Sequence, residues 1–191
     1  MSSDAVAIEE LDEEYRGNSQ MEIRDNQGIK GVIAKEDIVK DSVIFYLKGT
    51  IATRPTKYTI QLGRNKHLTF PAARRGDDDL DYCWQYLNHS CEPNGYINTA
   101  ERTLRAARNI RRGEEITFNY LTTESEMAVP FNCICGSAHC FGFIQGHNYL
   151  SADQARRLSL AVGADNVVSV FPPLVLTTAG DLENSQAGSA R

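Results

Sequence analysis

Short runs of β-branched and aromatic residues, separated by turn-forming residues, make up most of the chain between residues 20 and 120. Runs of this length and composition are typical of β-strands with one buried face. Asp41, Gly49, Asn65 and Gly113 punctuate them, and tight turns favour these residue types. The pattern predicts eight strands, at residues 21–23, 31–34, 42–47, 58–62, 67–70, 95–98, 103–107 and 115–120. We therefore expect a mostly β fold made of small sheets.

A different pattern begins at residue 151. Ser151 and Gln154 have the spacing of a capping box, in which each side chain bonds the other residue's main-chain N–H at the start of a helix. Apolar residues follow at positions 158, 160, 161 and 162, and Gly163 stands where a helix commonly ends. The spacing predicts one short helix of about three turns.

The two ends of the chain have compositions that do not favour a packed core. Acidic residues at positions 4, 9, 10, 12, 13 and 14 predict a solvated, acidic arm over residues 1–19. Residues 167–171 form an apolar run before Pro172 and are expected to be extended. Residues 177–191 are rich in Ser, Ala and Gly, which predicts a disordered tail.

Length and charge fit one globular domain with appendages, because the chain has 191 residues, a net charge of −5 and 41% hydrophobic residues. No stripe of Lys and Arg with interleaved aromatic residues is present, so direct binding to nucleic acid is not expected. The first residues lack the apolar core of a signal peptide, and no apolar run approaches the roughly 18 residues of a membrane-spanning helix. We expect an intracellular, soluble protein without a membrane partner.

The chain has five cysteines, and three of them, Cys133, Cys135 and Cys140, fall within eight residues. An odd number of cysteines without a secretion signal favours metal binding over a disulfide framework. A tetrahedral Zn²⁺ site needs four sulfur or imidazole ligands, so one more must come from elsewhere. The available residues for that fourth ligand are Cys91, His139, His89 and Cys83.

Two further segments carry the most specific pattern. Residues 88–94 read Asn-His-Ser-Cys-Glu-Pro-Asn, and residues 113–120 read Gly-Glu-Glu-Ile-Thr-Phe-Asn-Tyr. With the cysteine run, they resemble the two signature motifs and the post-SET segment of SET-domain protein methyltransferases. The resemblance implies a SET fold, with β-clip-like small sheets and a knot-like crossing of the two motif strands.

This resemblance covers roughly residues 20–147 and divides the chain into five parts. They are the arm at 1–19, a SET domain at 20–122, a zinc-bound post-SET segment at 123–147, a helical extension at 148–176 and the tail at 177–191.

The activity that the resemblance implies is S-adenosylmethionine-dependent N-methylation of lysine side chains in a histone or another protein. Tyr120 matches the family's active-site tyrosine, and Tyr58 stands where the family carries a second tyrosine of the lysine channel. Tyr86 and Tyr96 are further candidates for the channel wall. Related enzymes carry Phe or Tyr at the position of Phe118, and the missing hydroxyl favours di- or trimethylation. Two alternatives stay open: a catalytically silent protein-binding module, and a methyltransferase that acts on a peptide or small amine.

The resemblance also assigns ligands. The cofactor contacts that it implies are Lys30, Gly31, Val32, Asn88, His89, Tyr120, Phe141 and Phe143. For the metal, it adds Cys91 to Cys133, Cys135 and Cys140, which makes the zinc structural. The chain departs from the family pattern at Gly28-Ile29, where Gly-x-Gly is usual, and at Gln85 and Asn119, where an arginine and an acid are common. These departures leave the substrate class undefined.

Overall fold

Strands of two to six residues form the framework of the part of the chain that the computed structural model describes, residues 20–71 and 80–162. The strands are β1 (Met21–Asn26), β2 (Ile29–Ala34), β3 (Val43–Tyr46), β4 (Thr50–Ala52), β5 (Ile60–Gly63), β6 (Lys66–Thr69), β7 (Asn88–His89), β8 (Gly95–Asn98), β9 (Thr103–Ala106), β10 (Glu115–Phe118), β11 (Phe131–Asn132) and β12 (Phe143–Ile144). Short 3₁₀ helices lie at Leu80–Tyr86, Tyr120–Thr122 and His147–Tyr149, and helix α1 spans Ala152–Val162.

The strands pair into small sheets with the orders β1-β2-β10-β7, β3-β9-β8, β4-β6-β5 and β11-β12. Most neighbours are antiparallel, but β10 runs parallel to β7. Because parallel neighbours cannot be joined by a tight turn, the chain between β7 and β10 makes a long connection through β8 and β9. The result brings two segments that are far apart in sequence into one sheet.

Two groups of buried side chains hold the sheets together. The larger contains Val32, Leu104 and Ile116, all fully buried, and Trp84, whose indole N–H donates to the carbonyl oxygen of Lys48 at 2.9 Å. The smaller consists of Cys91, Leu121, Phe141, Ile144 and Leu158. The smaller cluster joins the first motif to the cysteine segment and to α1, so packing there depends on all three.

The mostly β prediction is confirmed. All eight predicted strands correspond to strands of the structure, with shifts of up to three residues at their ends. The predicted turn residues Asp41 and Asn65 adopt positive φ values of 67° and 55°, a conformation that Asp and Asn tolerate better than most residues. Four very short strands, β4, β7, β11 and β12, were not predicted.

The predicted helix is confirmed as α1, and its capping box is formed. Gln154 N donates to Ser151 Oγ at 3.2 Å, and Ser151 N donates to Gln154 Oε1 at 2.9 Å. The predictions for residues 1–19, for Gly163, for residues 167–171 and for the tail lie outside the described residues. No helix in the described ranges is long and apolar enough to cross a membrane.

Candidate functional site

The two motif segments lie side by side. In the parallel pair of β7 and β10, Asn88 is opposite Thr117 and His89 is opposite Phe118. Asn94 extends this pairing with its side chain: its Nδ2 donates to the carbonyl oxygen of Glu115 at 2.8 Å, and its Oδ1 accepts from Thr117 N at 2.9 Å. The buried Asn94 amide thus donates and accepts the two hydrogen bonds that the main chain of a neighbouring strand would make to β10. This explains why an Asn ends the first motif.

Tyr120 directly follows β10 and sits in an aromatic cluster. Its hydroxyl donates to the carbonyl oxygen of Leu87 at 2.6 Å. Its ring centroid lies 4.9 Å from that of Phe118, 5.2 Å from His89 and 6.0 Å from Phe131. Burial raises the pKa of Tyr120 well above its usual range, and nearby carboxylates act in the same direction. Tyr120 is therefore a neutral hydrogen-bonding group and not a nucleophile.

A 3₁₀ turn fixes the main chain around Tyr120. The buried Asn119 caps it, since its Oδ1 accepts from Leu121 N at 3.1 Å. The Nδ2 of Asn119 is buried and has no hydrogen-bond partner among the described residues. The amide therefore completes the turn but leaves one polar group unsatisfied, at the position where the sequence departs from the family pattern.

His89 lies between this turn and the cysteines. Its Nδ1 accepts from Tyr120 N at 3.1 Å, and its Nε2 is 3.3 Å from Cys91 Sγ. Phe131 packs against the ring edge-on, with centroids 5.7 Å apart. Burial lowers the pKa of His89 to about 4, so the ring is neutral near pH 7.

Asn88, Glu115 and Gly31 form a closely packed group, called the cradle below, where β2 approaches the two motif segments. Asn88 Nδ2 donates to the carbonyl oxygen of Lys30 at 3.0 Å and to Glu115 Oε1 at 2.7 Å. A Cβ atom on Gly31 would lie only 2.5 Å from Glu115 Oε1, so these groups fit closely because Gly31 has no side chain. The next residue, Val32, is fully buried and pairs with Ile116 of β10. The structure therefore brings the proposed contacts of β2 and β7 together and adds Glu115, which the sequence reasoning missed although the second motif contains it.

Replacing Gly31 with Ala is expected to displace the Glu115 carboxylate and break its hydrogen bond to Asn88. One such bond contributes about 1 kcal/mol, so affinity for a ligand held by this cradle should fall by about fivefold. Calorimetric titration with S-adenosylmethionine measures the effect. The matched control is Gly63→Ala, where the added Cβ meets nothing closer than Lys66 Cδ at 3.8 Å. Equal affinities for the two variants would show that the cradle is not a binding site.

Four cysteines form a candidate metal centre. The Sγ atoms of Cys91, Cys133, Cys135 and Cys140 lie within 4.8 Å of one another. Cys91 Sγ is 3.8 Å from Cys133 Sγ and 3.9 Å from Cys140 Sγ. A tetrahedral Zn²⁺ site with Zn–S bonds of about 2.3 Å spaces its sulfur atoms about 3.8 Å apart, so the donor set fits zinc.

The surroundings of the sulfur atoms suit thiolates. Phe141 N donates to Cys91 Sγ and Gly142 N donates to Cys140 Sγ, both at 3.3 Å. Burial raises the pKa of the Cys91 thiol, so a cation is needed for its thiolate to form at neutral pH. His139, the competing ligand, is exposed and outside this group, and Cys83 lies in the larger core cluster.

The predicted site residues Tyr58, Phe141 and Phe143 are not among the described ring contacts of Tyr120. Tyr58 is 42% exposed, with Lys57 Nζ 5.4 Å from its ring centroid. Phe143 is half exposed on β12. Phe141 is buried in the smaller core cluster, and the guanidinium of Arg157 lies 5.0 Å from its ring centroid. Among the predicted site residues, Phe118 and His89 contact the ring of Tyr120 in the part of the chain that the structure describes.

A buried carboxyl group, Glu124, ties the turn of Tyr120 to β5. Its Oε1 accepts from Gln61 N at 2.8 Å and from Thr123 Oγ1 at 3.1 Å, and its main-chain N–H donates to the carbonyl oxygen of Tyr120. Gln61 Oε1 in turn accepts from the N–H and the hydroxyl of Ser125. A groove of about 600 Å³ lies beside these residues, lined by side chains that include Gln61, Asn65, His67 and Ser125. Sequence reasoning did not identify this connection.

Burial raises the pKa of Glu124 from 4.5 to about 7. Between these pH values the folded state binds more protons than the unfolded chain, so this residue's stabilising contribution is lost as the pH rises from about 4.5 to about 7. Glu124→Gln keeps an oxygen acceptor for Gln61 and is expected to remove a fall of about 3 kcal/mol in the free energy of unfolding over that interval. Urea unfolding near pH 5 and near pH 8 measures the difference between variant and wild type, in which the histidine contributions cancel. Exposed Glu126 provides the control Glu126→Gln, in which the free energy of unfolding should change with pH as it does in the wild type. If the free energy of unfolding of Glu124→Gln also fell with pH as in the wild type, the assignment would be contradicted.

Comparison with known proteins agrees with this geometry. Residues 30–121 match the family model described as SET domain, so the chain carries a SET domain and has the SET fold. Methyltransferase flvH of Aspergillus flavus is 40% identical over 81 residues, which are 41% of this chain and 43% of that protein. The H3 lysine-36 specific histone-lysine N-methyltransferase of Yarrowia lipolytica is 31% identical over 132 residues, 61% of this chain and 17% of that protein.

The chain thus spans less than half the length of these relatives. Among solved structures, KRYPTONITE in complex with mCHG DNA and SAH is similar with a TM-score of 0.48 and 21% identity. That similarity covers 64% of this chain and 28% of that chain.

Proposed function

We propose that this protein is an S-adenosylmethionine-dependent methyltransferase that N-methylates lysine side chains of a protein substrate. The observation that carries the proposal is the parallel contact of β7 with β10, which sets Tyr120 beside His89 and the Asn88–Glu115–Gly31 cradle. The Yarrowia lipolytica relative, and further fungal relatives, are named H3 lysine-36 specific histone-lysine N-methyltransferases, which supports the same chemistry.

The cradle suits the cofactor because a glycine main chain, an amide and a carboxylate lie in close contact there, and the missing side chain of Gly31 is what allows that contact. When bound, S-adenosylmethionine supplies an electrophilic methyl group on a sulfonium centre. The main chain at Lys30–Val32, with Asn88 and His89, would hold the cofactor, and Phe141 and Phe143 would cover it. Binding of this kind converts a bimolecular transfer into a reaction within one complex.

The aromatic cluster around Tyr120 would shield the acceptor amine from water and orient it. Rings of Tyr120, Phe118 and Phe131 exclude water from the acceptor nitrogen, and desolvation favours the neutral amine that the transfer needs. The hydroxyl of Tyr120 is held by the Leu87 carbonyl oxygen, so its oxygen lone pairs remain available to orient polar groups in the channel. Tyr58 would be the second tyrosine of that channel.

The groove beside Gln61 and Ser125 favours a peptide as the acceptor. Residues 125–128, which line part of the groove, come directly after the turn of Tyr120 in the chain. The volume of the groove, about 600 Å³, is large enough for several side chains. We therefore infer that the lysine belongs to a protein segment. Histone H3 is the first substrate to test, because the Yarrowia lipolytica relative is named an H3 lysine-36 specific histone-lysine N-methyltransferase.

Phe118 bears on how many methyl groups are added. It is buried, and its centroid lies 4.9 Å from that of Tyr120. Without a hydroxyl at this place, the cluster leaves room for a methylated amine, so dimethyl- and trimethyllysine are the expected products. Phe118→Tyr is expected to shift the main product to monomethyllysine, because the added hydroxyl occupies space and needs a hydrogen-bond partner in a buried site. Intact-mass analysis of the product measures the shift. An unchanged distribution would contradict this role.

We further propose that Cys91, Cys133, Cys135 and Cys140 hold one structural Zn²⁺. Four thiolates leave no open coordination position, so the metal holds the segment 123–147 and does not activate water.

The experiment that tests the function combines binding and transfer. Isothermal calorimetry measures binding of S-adenosylmethionine, and a tritium-labelled methyl group reports transfer to nucleosomes, to an H3 peptide and to free small amines. We expect saturable binding and label on the protein acceptors. Binding without any transfer would instead favour a silent binding module. Label on small amines alone would favour a small-molecule methyltransferase, which matters because the 40% identical relative is named only a methyltransferase.

A further inference from the structure

The imidazole of His89 has two different partners on its two nitrogen atoms. Nδ1 lies 3.1 Å from the main-chain nitrogen of Tyr120, and Nε2 lies 3.3 Å from the Sγ atom of Cys91. One small ring thus spans the distance between the candidate catalytic tyrosine and the candidate metal centre.

The partners decide which nitrogen carries the hydrogen atom. A main-chain N–H can only donate, so Nδ1 must offer its lone pair to Tyr120. A neutral imidazole has one acceptor and one donor nitrogen, so the hydrogen resides on Nε2 and points toward Cys91 Sγ. The opposite tautomer would place two hydrogen atoms face to face at Tyr120.

Cys91 is suited to accept this bond. Its sulfur already accepts from Phe141 N at 3.3 Å, and the residue is 1% exposed, so water does not compete for the remaining lone pairs. The ring of His89 is held in place by edge contacts with Tyr120 and Phe131, at centroid distances of 5.2 Å and 5.7 Å. It cannot rotate away from the sulfur without losing both packing contacts.

We propose that His89 is a positioning residue that hydrogen-bonds the Cys91 thiolate through Nε2–H and holds the main chain of Tyr120 through Nδ1. The metal centre then orients the tyrosine through a single side chain. This inference rests on the proposed function for its catalytic consequence, but the hydrogen bonds themselves do not depend on it. The role differs from a contact to the cofactor, which the sequence motif alone implies for this histidine.

Nuclear magnetic resonance of the full chain loaded with ¹¹³Cd²⁺ tests the tautomer and the bond directly. Nitrogen chemical shifts should show a protonated Nε2 and an unprotonated Nδ1 in His89. The Nε2-bound proton should also show scalar coupling to ¹¹³Cd through the sulfur atom. A protonated Nδ1, or an Nε2 proton that lacks this coupling, would overturn the proposal. Neither readout involves methyl transfer. This inference can therefore fail while the proposed function stands, and the proposed function can fail while both hydrogen bonds of His89 are found.

Two substitutions separate the hydrogen bond of His89 to Cys91 from its hydrogen bond to Tyr120. His89→Gln places its amide nitrogen near the position of Nε2 and can keep the bond to Cys91, whereas His89→Asn places its amide oxygen near Nδ1 and can keep the bond to Tyr120. Loss of a hydrogen bond to a metal ligand typically weakens metal binding by about 10- to 100-fold. We therefore expect His89→Asn to release Zn²⁺ to a chelator about 10- to 100-fold faster than His89→Gln. Equal release rates, or faster release from His89→Gln, would contradict the assignment. If either variant fails to fold, the ¹¹³Cd measurement on the unmodified chain decides alone.

Discussion

Tyr120→Phe is expected to lower kcat for methyl transfer by about 10²- to 10³-fold, the usual loss when one preorganised hydrogen-bonding group is removed from an active site. The hydroxyl is fixed by the Leu87 carbonyl oxygen at 2.6 Å, and burial keeps the group protonated by raising its pKa. Its ring also contacts Phe118, His89 and Phe131, and Phe preserves those contacts. Affinity for S-adenosylmethionine and the far-ultraviolet circular dichroism spectrum should therefore stay close to wild type.

Tyr149→Phe is the matched control for this prediction. Tyr149 is half exposed, and its hydroxyl donates to Glu126 at the surface, so its loss should leave kcat near the wild-type value. Initial rates at saturating acceptor, with calorimetry for cofactor affinity, measure both variants. A Tyr120→Phe enzyme that turns over as fast as Tyr149→Phe would remove Tyr120 from the chemistry.

Removing the metal is expected to have the largest effect on stability. Structural zinc contributes on the order of 10 kcal/mol to the folding of small metal-bound segments. Cys91 belongs both to the candidate metal centre and to the buried cluster with Leu121, Phe141, Ile144 and Leu158. Cys91→Ser, or a strong chelator, should therefore unfold the segment 123–147. It should also weaken binding of S-adenosylmethionine, because Cys91 follows two residues after His89 in the first motif.

Cys83→Ala provides the control for the metal prediction. Cys83 is buried in the larger core cluster, so its loss costs packing but should leave one zinc bound per chain. Metal content is measured by plasma emission spectrometry, and the cysteine segment is followed by hydrogen exchange. Chelation that unfolds residues 123–147 yet leaves cofactor affinity intact would refute the link between metal and cofactor site.

The sequence predicted the longer strands because their β-branched and aromatic residues are local signals. It did not predict β7, β11 or β12, since a strand of two residues has no periodicity, and its existence depends on a distant partner. β7 exists because Asn88 and His89 meet Thr117 and Phe118 of β10. Local patterning carries no information on such a pairing.

The same distinction holds for the site. Residues inside the motifs, such as Asn88 and Tyr120, became candidates because several chemically specific side chains stand together in sequence. Phe131, Gln61 and Glu124 were missed because each is an ordinary residue until the fold places it beside Tyr120 or its turn. For Tyr58, sequence position did not determine exposure, and the structure places it in the turn before β5 with 42% of its surface accessible.

Mass spectrometry of an acceptor protein incubated with S-adenosylmethionine carrying a deuterated methyl group tests the central claim most directly. Fragment spectra locate the label on individual residues, and Tyr120→Phe serves as the paired reaction. Labelled dimethyl- or trimethyllysine is expected in the wild-type reaction, and little or none with Tyr120→Phe. Label on residues other than lysine, or equal labelling by Tyr120→Phe, would contradict the central claim.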